Sequence, residues 1–296
     1  MDDKKNQEKE KQKKEKQDRI DHELDKKGDE STEKDETTDK SHGDILKEQI
    51  MQGCETYDRS GSSIFLSSIT AGLEIGFSFL MILALFSFLE AKLAEDVIFK
   101  LISLVYPLGF ILVILGQSIL FTEQTALLTL PVLNKKRSIY SLFKIWGIVI
   151  FGNLIGGMLI AFTLIWLGPR LDIFDEHAIA AIGEHVVDFP LMTVLVSGIL
   201  AGWLMGLLSW LLTSAKDTVS QIIMIFLITG MMAFTGLHHS IIGNIEIFAG
   251  MLVSSKISFT DYVYVESMAI LGNAIGGAVF VALLKYRAFV FNVKMP

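Results

Sequence analysis

The pattern of apolar and polar positions divides the chain near residue 60 into two parts of opposite character. From residue 61 onward, long uncharged stretches alternate with short charged breaks. A helix that crosses the hydrocarbon core of a bilayer needs about 20 mostly apolar residues. The pattern therefore predicts an all-α membrane protein whose six transmembrane helices cover residues 62–89, 101–122, 145–169, 189–215, 218–237 and 267–284.

A repeated motif predicts that the six helices form two halves. The sequence Gly-Asn-Leu-Ile-Gly-Gly at 152–157, in the third span, returns in the sixth span as Gly-Asn-Ala-Ile-Gly-Gly at 272–277. Because each half contains three spans, the second copy is inserted upside down relative to the first. The amides of Asn153 and Asn273 need hydrogen-bond partners in hydrocarbon, so we assign both to the candidate pathway.

The middle element of each half is too long for one crossing and too short for two. Residues 101–134 carry one charged side chain, and residues 218–255 are interrupted by His238, His239 and Glu246. Helices two and five are therefore predicted to break inside the membrane, near 120–123 and 236–240, and to continue as half-helices. Inverted repeats with paired broken helices place a binding site near the midplane, where the breaks meet.

The first 60 residues hold 14 of the 26 Lys and Arg residues and 19 of the 33 Asp and Glu residues, counted along the sequence. Such a segment has too few apolar residues to bury a core. We expect a disordered, charged tail over 1–60 and a transmembrane domain over 61–296. The net charge of −7 belongs mostly to this tail and predicts no nucleic-acid partner.

The distribution of basic residues predicts the orientation of the chain. Eight basic residues flank the spans on the side of the two termini, and four lie on the other side. By the positive-inside rule, both termini of this multi-pass protein are expected in the cytoplasm, with the protein in the plasma (inner) membrane.

His239 is the ionisable residue that most favours a functional reading, because it follows the second break and lies opposite Thr122 of the first. Placing an ionisable group inside a span costs roughly 2.5–3.5 kcal/mol or more, which makes it a functional candidate by default. The alternative is a neutral imidazole that only satisfies backbone groups freed by the break. His238, its neighbour, is expected to point elsewhere and is an accessory candidate.

Three carboxylates within the apolar stretches leave alternatives open. Glu123 and Glu246 follow the breaks and either cap the amides of half-helix N-termini, where the helix dipole favours an anion, or contact the substrate. Glu74 lies on an apolar helix and either pairs with a pore group or sits at a subunit contact.

The sequence contains no signature of an enzyme or of a metal site. A Ser/His/Asp set, a His-Glu-x-x-His motif and a phosphate-binding glycine loop are all absent. The adjacent pair His238 and His239 lacks the i, i+3 or i+4 spacing with which one helix presents two ligands. A single cysteine, Cys54, excludes intrachain disulfides. We therefore predict a non-enzyme without cofactor or metal.

Four motifs together resemble the formate–nitrite transporter family. They are Gly-Gln-Ser-Ile-Leu-Phe-Thr at 116–122, Gly-Leu-His-His-Ser-Ile at 236–241, and the two Gly-Asn motifs of spans three and six. They occur in the family's order over roughly residues 62–287. The long charged tail and the Thr-Glu pair after Leu-Phe are similar to a less characterised branch of that family.

The resemblance implies an aquaporin-like protomer, a homopentamer in the lipid bilayer and one pore per protomer. Members pass small monovalent anions or their weak acids, some together with a proton. The family's central histidine would fall on His239, and the threonine of its first break on Thr122. Its inner constriction would fall on Phe110, Leu120 and Phe121, and its outer constriction on Tyr106 and Met232.

This chain departs from the family pattern around the central histidine. His238 stands where members often carry an acidic residue, and Gly202 stands where many have Asn. After the histidine, Gly243, Asn244 and Ile245 replace the usual Asn-Met pattern. These departures leave the identity of the transported anion open.

The sequence favours a channel or transporter for small monovalent weak-acid anions of the formate and nitrite class. An unpaired charge crosses an apolar constriction at high cost, whereas the neutral acid crosses more easily. We hypothesise that a proton supplied through or near His239 neutralises the anion, since the ordinary pKa of histidine lies near 6.5. The alternatives are a pore for a small neutral solute, and a non-transporting membrane protein that recruits a partner through its tail.

Overall fold

The computed structural model describes residues 2–32 and 40–292, and in these ranges the regular structure is entirely helical. Within these described residues, six helical stretches are long and apolar enough to cross a membrane, which confirms the predicted spans. They are Gly61–Leu89, Glu95–Leu115, Ile139–Leu171, Leu191–Ser214, Thr218–Thr235 and Phe259–Phe291.

The first half consists of α3 (Gly61–Leu89), a broken second span and α7 (Ile139–Leu167). The broken span begins with α4 (Glu95–Leu101) and α5 (Pro107–Leu115), and after a non-helical turn it resumes as the half-helix α6 (Phe121–Leu133). The break therefore covers residues 116–120. This break starts four residues before the predicted position near 120–123, since α5 ends at Leu115.

The second half repeats this order. It consists of α9 (Leu191–Ser214), a broken span formed by α10 (Thr218–Thr235) and the half-helix α11 (Ser240–Val253), and α12 (Phe259–Ile275). The sixth span continues from α12 through a π-helical segment, Gly276–Leu283, into α13 (Leu284–Asn292). Two inverted halves with broken helices two and five are thus confirmed.

The two halves interlock through their half-helices. The half-helix α6 packs against α9 and the π-helical segment of the second half, and α11 packs against α7 and α3 of the first half. Within each half, the outer spans cross closely: a β-carbon on Gly72 would collide with the carbonyl oxygen of Asn153, and one on Gly202 with that of Asn273. Small residues at such crossings let membrane helices approach each other.

The described part of the segment before residue 60 is helical, which differs from the disorder expected for 1–60. Helix α1 (Asp2–Thr32) is followed by α2 (His42–Asp58), whose N-terminus is held by a capping box between Ser41 and Asp44. Ile45, Leu46 and Ile50 of α2 form a short apolar face that is buried in a cluster with side chains of α6, α9 and α13. The many charged residues around this face masked it in the sequence. The membrane domain therefore includes α2.

Helix α2 has a counterpart in the second half. The loop between spans three and four contains α8 (Glu176–Val187), which packs on the half-helix α11 as α2 packs on α6. A β-carbon on Gly53 of α2 would meet the carbonyl oxygen of Leu127, and one on Gly183 of α8 that of Glu246. The repeat therefore contains four parts: a covering helix, an outer span, a broken span and a second outer span.

Candidate functional site

The N-termini of the two half-helices meet in the interior of the protein. Thr122 is the second residue of α6, and His239 is the N-cap residue of α11. The Thr122 Oγ1 atom and the His239 Nε2 atom lie 2.7 Å apart and are hydrogen-bonded. Both residues are buried, and His239 Nδ1 has no hydrogen-bond partner among the described residues. Two of the predicted pathway residues are thus brought together at the point where the breaks converge.

Asn153 holds the first break in place. Its Oδ1 atom accepts a hydrogen bond of 2.8 Å from the backbone N–H of Phe121, the first residue of α6. Its Nδ2 atom donates to the carbonyl oxygen of Ser68 on α3 at 2.8 Å and to that of Ile119 in the break at 2.9 Å. One amide therefore joins three spans and satisfies backbone groups that the break leaves open.

Asn273 does the same for the second break. Its Oδ1 atom accepts from the backbone N–H of Ser240, the first residue of α11, at 2.8 Å. Its Nδ2 atom donates to the carbonyl oxygens of Gly198 at 2.8 Å and of His238 at 3.1 Å. The two asparagines occupy equivalent positions in the inverted halves. The side-chain hydrogen bonds of both asparagines are made to backbone groups.

In this arrangement the first amide of each half-helix is not bonded by Glu123 or Glu246. The first amide of each half-helix is bonded to Asn153 or Asn273, and neither half-helix has a cap hydrogen bond from the side chain of its own N-cap residue. Glu246 lies two turns into α11, too far from its N-terminus to reach the free amides. Both carboxylates line cavities instead.

An outer cavity of about 250 Å³ lies between α8, α11, α12 and the start of the second span. His238, His239, Tyr106, Glu246 and Glu266 line it together with apolar side chains. At the end of this cavity next to α8, the ring of His185 stacks on Phe99 with a centroid distance of 3.8 Å. His185 lies outside the spans, and its burial lowers its pKa from the ordinary value.

An inner cavity of about 380 Å³ lies on the opposite side of the breaks. Its lining is more polar and includes Gln117, Glu123 and Thr213. Helix α2 and the residues before it complete its wall through Glu48 and Lys40, whose Nζ atom donates to the carbonyl oxygen of Thr213 at 2.7 Å. The N-terminal segment thus forms part of this cavity.

Of the five residues predicted to form constrictions, Tyr106 lines the outer cavity and the other four are buried away from both cavities. Phe110 is completely buried, stacks on Tyr106 at 5.2 Å and meets the His239 ring edge-on at 4.9 Å. Leu120, Phe121 and Met232 are also completely buried and, unlike Tyr106, line neither cavity. These buried side chains form an apolar layer beside the Thr122–His239 pair.

His238 and Glu74 have different environments. His238 lines the outer cavity, but its ring is held by Ser197 Oγ at 2.9 Å and by the carbonyl oxygen of Val186 at 3.3 Å. Glu74 points toward the first break, since its Oε1 atom would lie 3.5 Å from a β-carbon on Gly116. Of the two alternatives left open for Glu74, the structure favours a contact inside the protomer.

Glu266 is the residue of the outer cavity that sequence reasoning missed. The sixth span was assigned to begin at 267, because a charged residue ended the uncharged stretch there. In the structure the helix begins at Phe259, and Glu266 is buried on it. Its position one residue before a long apolar stretch was the available signal.

The fold and the site define a multi-pass, aquaporin-like membrane protein with two inverted halves and a central pathway between two cavities. The model of the family described as formate/nitrite transporter matches residues 43–287. The chain belongs to the formate/nitrite transporter family. The match begins in α2, which agrees with the inclusion of this helix in the membrane domain.

Similar proteins support the same assignment. The chain is 29% identical over 248 residues to the inner membrane protein YfdC of Escherichia coli (strain K12), covering 81% of this chain and 77% of that protein. A solved FNT family ion channel superposes with a TM-score of 0.76 at 22% identity, covering 83% of this chain and 98% of the other. A pentameric formate channel with formate bound gives a TM-score of 0.65 at 24% identity, over 78% and 98% of the chains.

Proposed function

We propose that the protein conducts small monovalent weak-acid anions of the formate and nitrite class across the membrane, with a proton accompanying the anion at His239. The observation that carries this proposal is the hydrogen bond between Thr122 and His239 at the meeting point of two half-helix N-termini. Each N-terminus carries a partial positive charge, so two of them directed at one point attract an anion.

The surroundings of this point explain why a proton is needed. The apolar layer beside Thr122 and His239 disfavours an unpaired charge but admits a neutral acid. The Nδ1 atom of His239 has no hydrogen-bond partner among the described residues, so the ring offers an open nitrogen for proton exchange with a bound weak acid. The anion reaches His239 from a cavity, becomes neutral there, and crosses the layer as the acid.

The assembly proposed is a homopentamer in the cytoplasmic (inner) membrane with both termini in the cytoplasm. The related pentameric formate channel supports the stoichiometry. Large apolar side chains such as Phe88, Phe143, Trp166 and Phe259 are exposed on the protomer and suit contact with lipid or neighbouring copies. The excess of basic residues on the side of the termini supports the orientation.

Uptake by proteoliposomes tests this function. Formate, nitrite, acetate, lactate and hydrosulfide are offered separately between pH 5 and pH 8, with empty liposomes as the control. We expect saturable uptake of the smallest anions, increasing as the pH falls, because more protons are available to neutralise them. No uptake of any of these compounds by correctly inserted protein would contradict the proposal and leave the neutral-solute pore and the non-transporting protein.

A further inference from the structure

We propose that the outer cavity, whose lining includes the carboxylates of Glu246 and Glu266, binds a small ammonium ion, either ammonium itself or a short alkylammonium. This binding site goes beyond the proposed passage of weak-acid anions and does not depend on it. Its residues lie on α11 and α12, on the outer side of the Thr122–His239 pair.

Glu266 is the first observation that points to a positively charged ligand. Its side chain is only 4% exposed and lines the outer cavity. Neither of its carboxylate oxygens has a hydrogen-bond partner among the described residues. The hydroxyl of Tyr262 lies close enough to Glu266 to interact with it electrostatically. It does not bond Glu266, however, but donates its hydrogen bond to Asn244 Oδ1 at 2.6 Å. The carboxylate therefore lies buried at the cavity wall without a partner among the described residues.

Glu246 adds a second carboxylate to the same cavity. It is 8% exposed and forms no hydrogen bond or ion pair with any residue the structure describes. The basic residue at the cavity, Lys100, donates from Nζ to the carbonyl oxygen of Phe234 at 2.9 Å and lies over the Phe234 ring. Burying two carboxylates without a cationic partner is strongly disfavoured. A positively charged guest would offset this cost.

The other side chains that line the outer cavity favour an ammonium ion over a metal ion. Phe99, Tyr106 and Phe189 contribute aromatic rings, and most other lining side chains are aliphatic. Aromatic faces attract ammonium and alkylammonium ions, while carboxylates accept their N–H hydrogen bonds. Over residues 2–32 and 40–292, the one set of three side chains arranged to hold a metal ion is Glu90, Asp175 and His177, outside this cavity. An ammonium ion therefore fits better than a divalent metal.

Binding of radiolabelled methylammonium to the purified full-length protein in detergent tests the site. A scintillation proximity assay at constant ionic strength measures saturation and competition by ammonium, sodium or potassium chloride. The variants are Glu246→Gln and Glu266→Gln, which keep the shape and remove the charge. The matched control is Glu184→Gln, an acidic residue of α8 that pairs with Lys256 and does not line the cavity.

We expect saturable binding that ammonium displaces and that weakens about tenfold or more in either cavity variant, with the control unchanged. Absence of saturable binding, cavity variants that bind as tightly as the wild type, or displacement by sodium and potassium as effective as by ammonium would overturn the proposal. If one cavity variant does not elute as the wild-type oligomer in gel filtration, the proposal is judged on the binding measured with the other variant.

Anion uptake measured on the same preparations separates this proposal from the proposed function. Weak-acid uptake without methylammonium binding would remove the ammonium site and leave the anion pathway intact. Methylammonium binding that is lost in the cavity variants, without any weak-acid uptake, would support the site and contradict the pathway.

Discussion

At the scale of single residues, each of the two breaks contains one residue whose backbone is in the left-handed conformation. Gln117 has φ of 58° and Gly236 has φ of 69°. Each lies three positions before the N-cap residue of its half-helix, Leu120 and His239. Left-handed backbone is easily adopted by glycine and costs other L-residues roughly 1–2 kcal/mol. The second break uses glycine, whereas the first tolerates glutamine.

Replacing Gly236 with alanine should destabilise the protein through backbone strain alone. A β-carbon at this position meets no atom within 4 Å, so crowding does not contribute. We expect a loss of about 1–2 kcal/mol, seen as a lower melting temperature of the purified protein. Gly243→Ala is the control, because its β-carbon also meets open space while its backbone is helical. Equal melting temperatures of the two variants would contradict this explanation.

Replacing His239 with asparagine should change the pH dependence of weak-acid flux. Asparagine retains a hydrogen-bonding group beside Thr122 but does not titrate near neutral pH. Uptake into proteoliposomes should fall at least about tenfold at pH 6 and lose most of its dependence on pH. His238→Asn should have a smaller effect, because that ring is held by Ser197 and Val186. Identical pH profiles for wild type and His239→Asn would reduce His239 to a structural residue.

At the scale of elements, removal of α2 should be far more damaging than removal of α1. Gln49 of α2 donates hydrogen bonds to Ser209 Oγ at 3.0 Å and to Thr213 Oγ1 at 2.9 Å. The three buried aliphatic side chains of α2 contribute about 1.5–3 kcal/mol each to the stability of the folded protein. A chain beginning at residue 40 loses the buried side chains of Ile20 and Leu24 and should melt below the full chain but still assemble, whereas one beginning at residue 59 should not assemble.

Gel filtration and melting curves of the two shortened chains measure this difference. The full chain is the control for both. If the chain beginning at residue 59 retained the oligomer and the melting temperature of the full chain, the covering role of α2 would be wrong, and the predicted division between tail and transmembrane domain at residue 60 would be right.

Acidification should weaken the packing of α8 through His185. Burial lowers the pKa of His185, and among its charged neighbours Asp188 and Glu95 oppose this effect while Lys100 adds to it. The unfolded state therefore takes up a proton first, and the stability contributed by the neutral ring is lost as the pH falls below about 6.5. Between pH 8 and pH 5, the melting temperature of wild type should fall more than that of His185→Gln. An equal or smaller fall in wild type would contradict this assignment.

The periodic and compositional signals predicted the spans, the two inverted halves and the two breaks, because length without charge directly reflects the thickness of a bilayer. They did not predict α2, since three buried aliphatic residues in a highly charged segment give little apolar signal. The same signals predicted that Asn153 and Asn273 matter, but the partners of these amides depend on which backbone groups the breaks expose. Glu266 was missed because a charge inside a span looks like the end of that span.

At the scale of the whole molecule, the proposed orientation is testable with the single cysteine removed. In a Cys54→Ser background, cysteines introduced at Ser31 and at Lys294 should react with an impermeant maleimide only after the membrane is opened. A cysteine at Asp172, in the loop between spans three and four, should react in intact cells and serves as the positive control. Labelling of either terminal site in intact cells would place the termini outside.

The interlocking of the half-helices has a consequence for biosynthesis. The half-helix α6 contains Glu123, Gln124, Thr129 and Pro131, and it packs against α9 and the π-helical segment 276–283. Those partners emerge from the ribosome after α6, and the π-helical segment emerges only with the sixth span. A nascent chain that stops after α7 therefore holds a polar half-helix without its protein environment, so it should remain associated with the insertion machinery. Release into the bilayer becomes favourable only when the sixth span arrives.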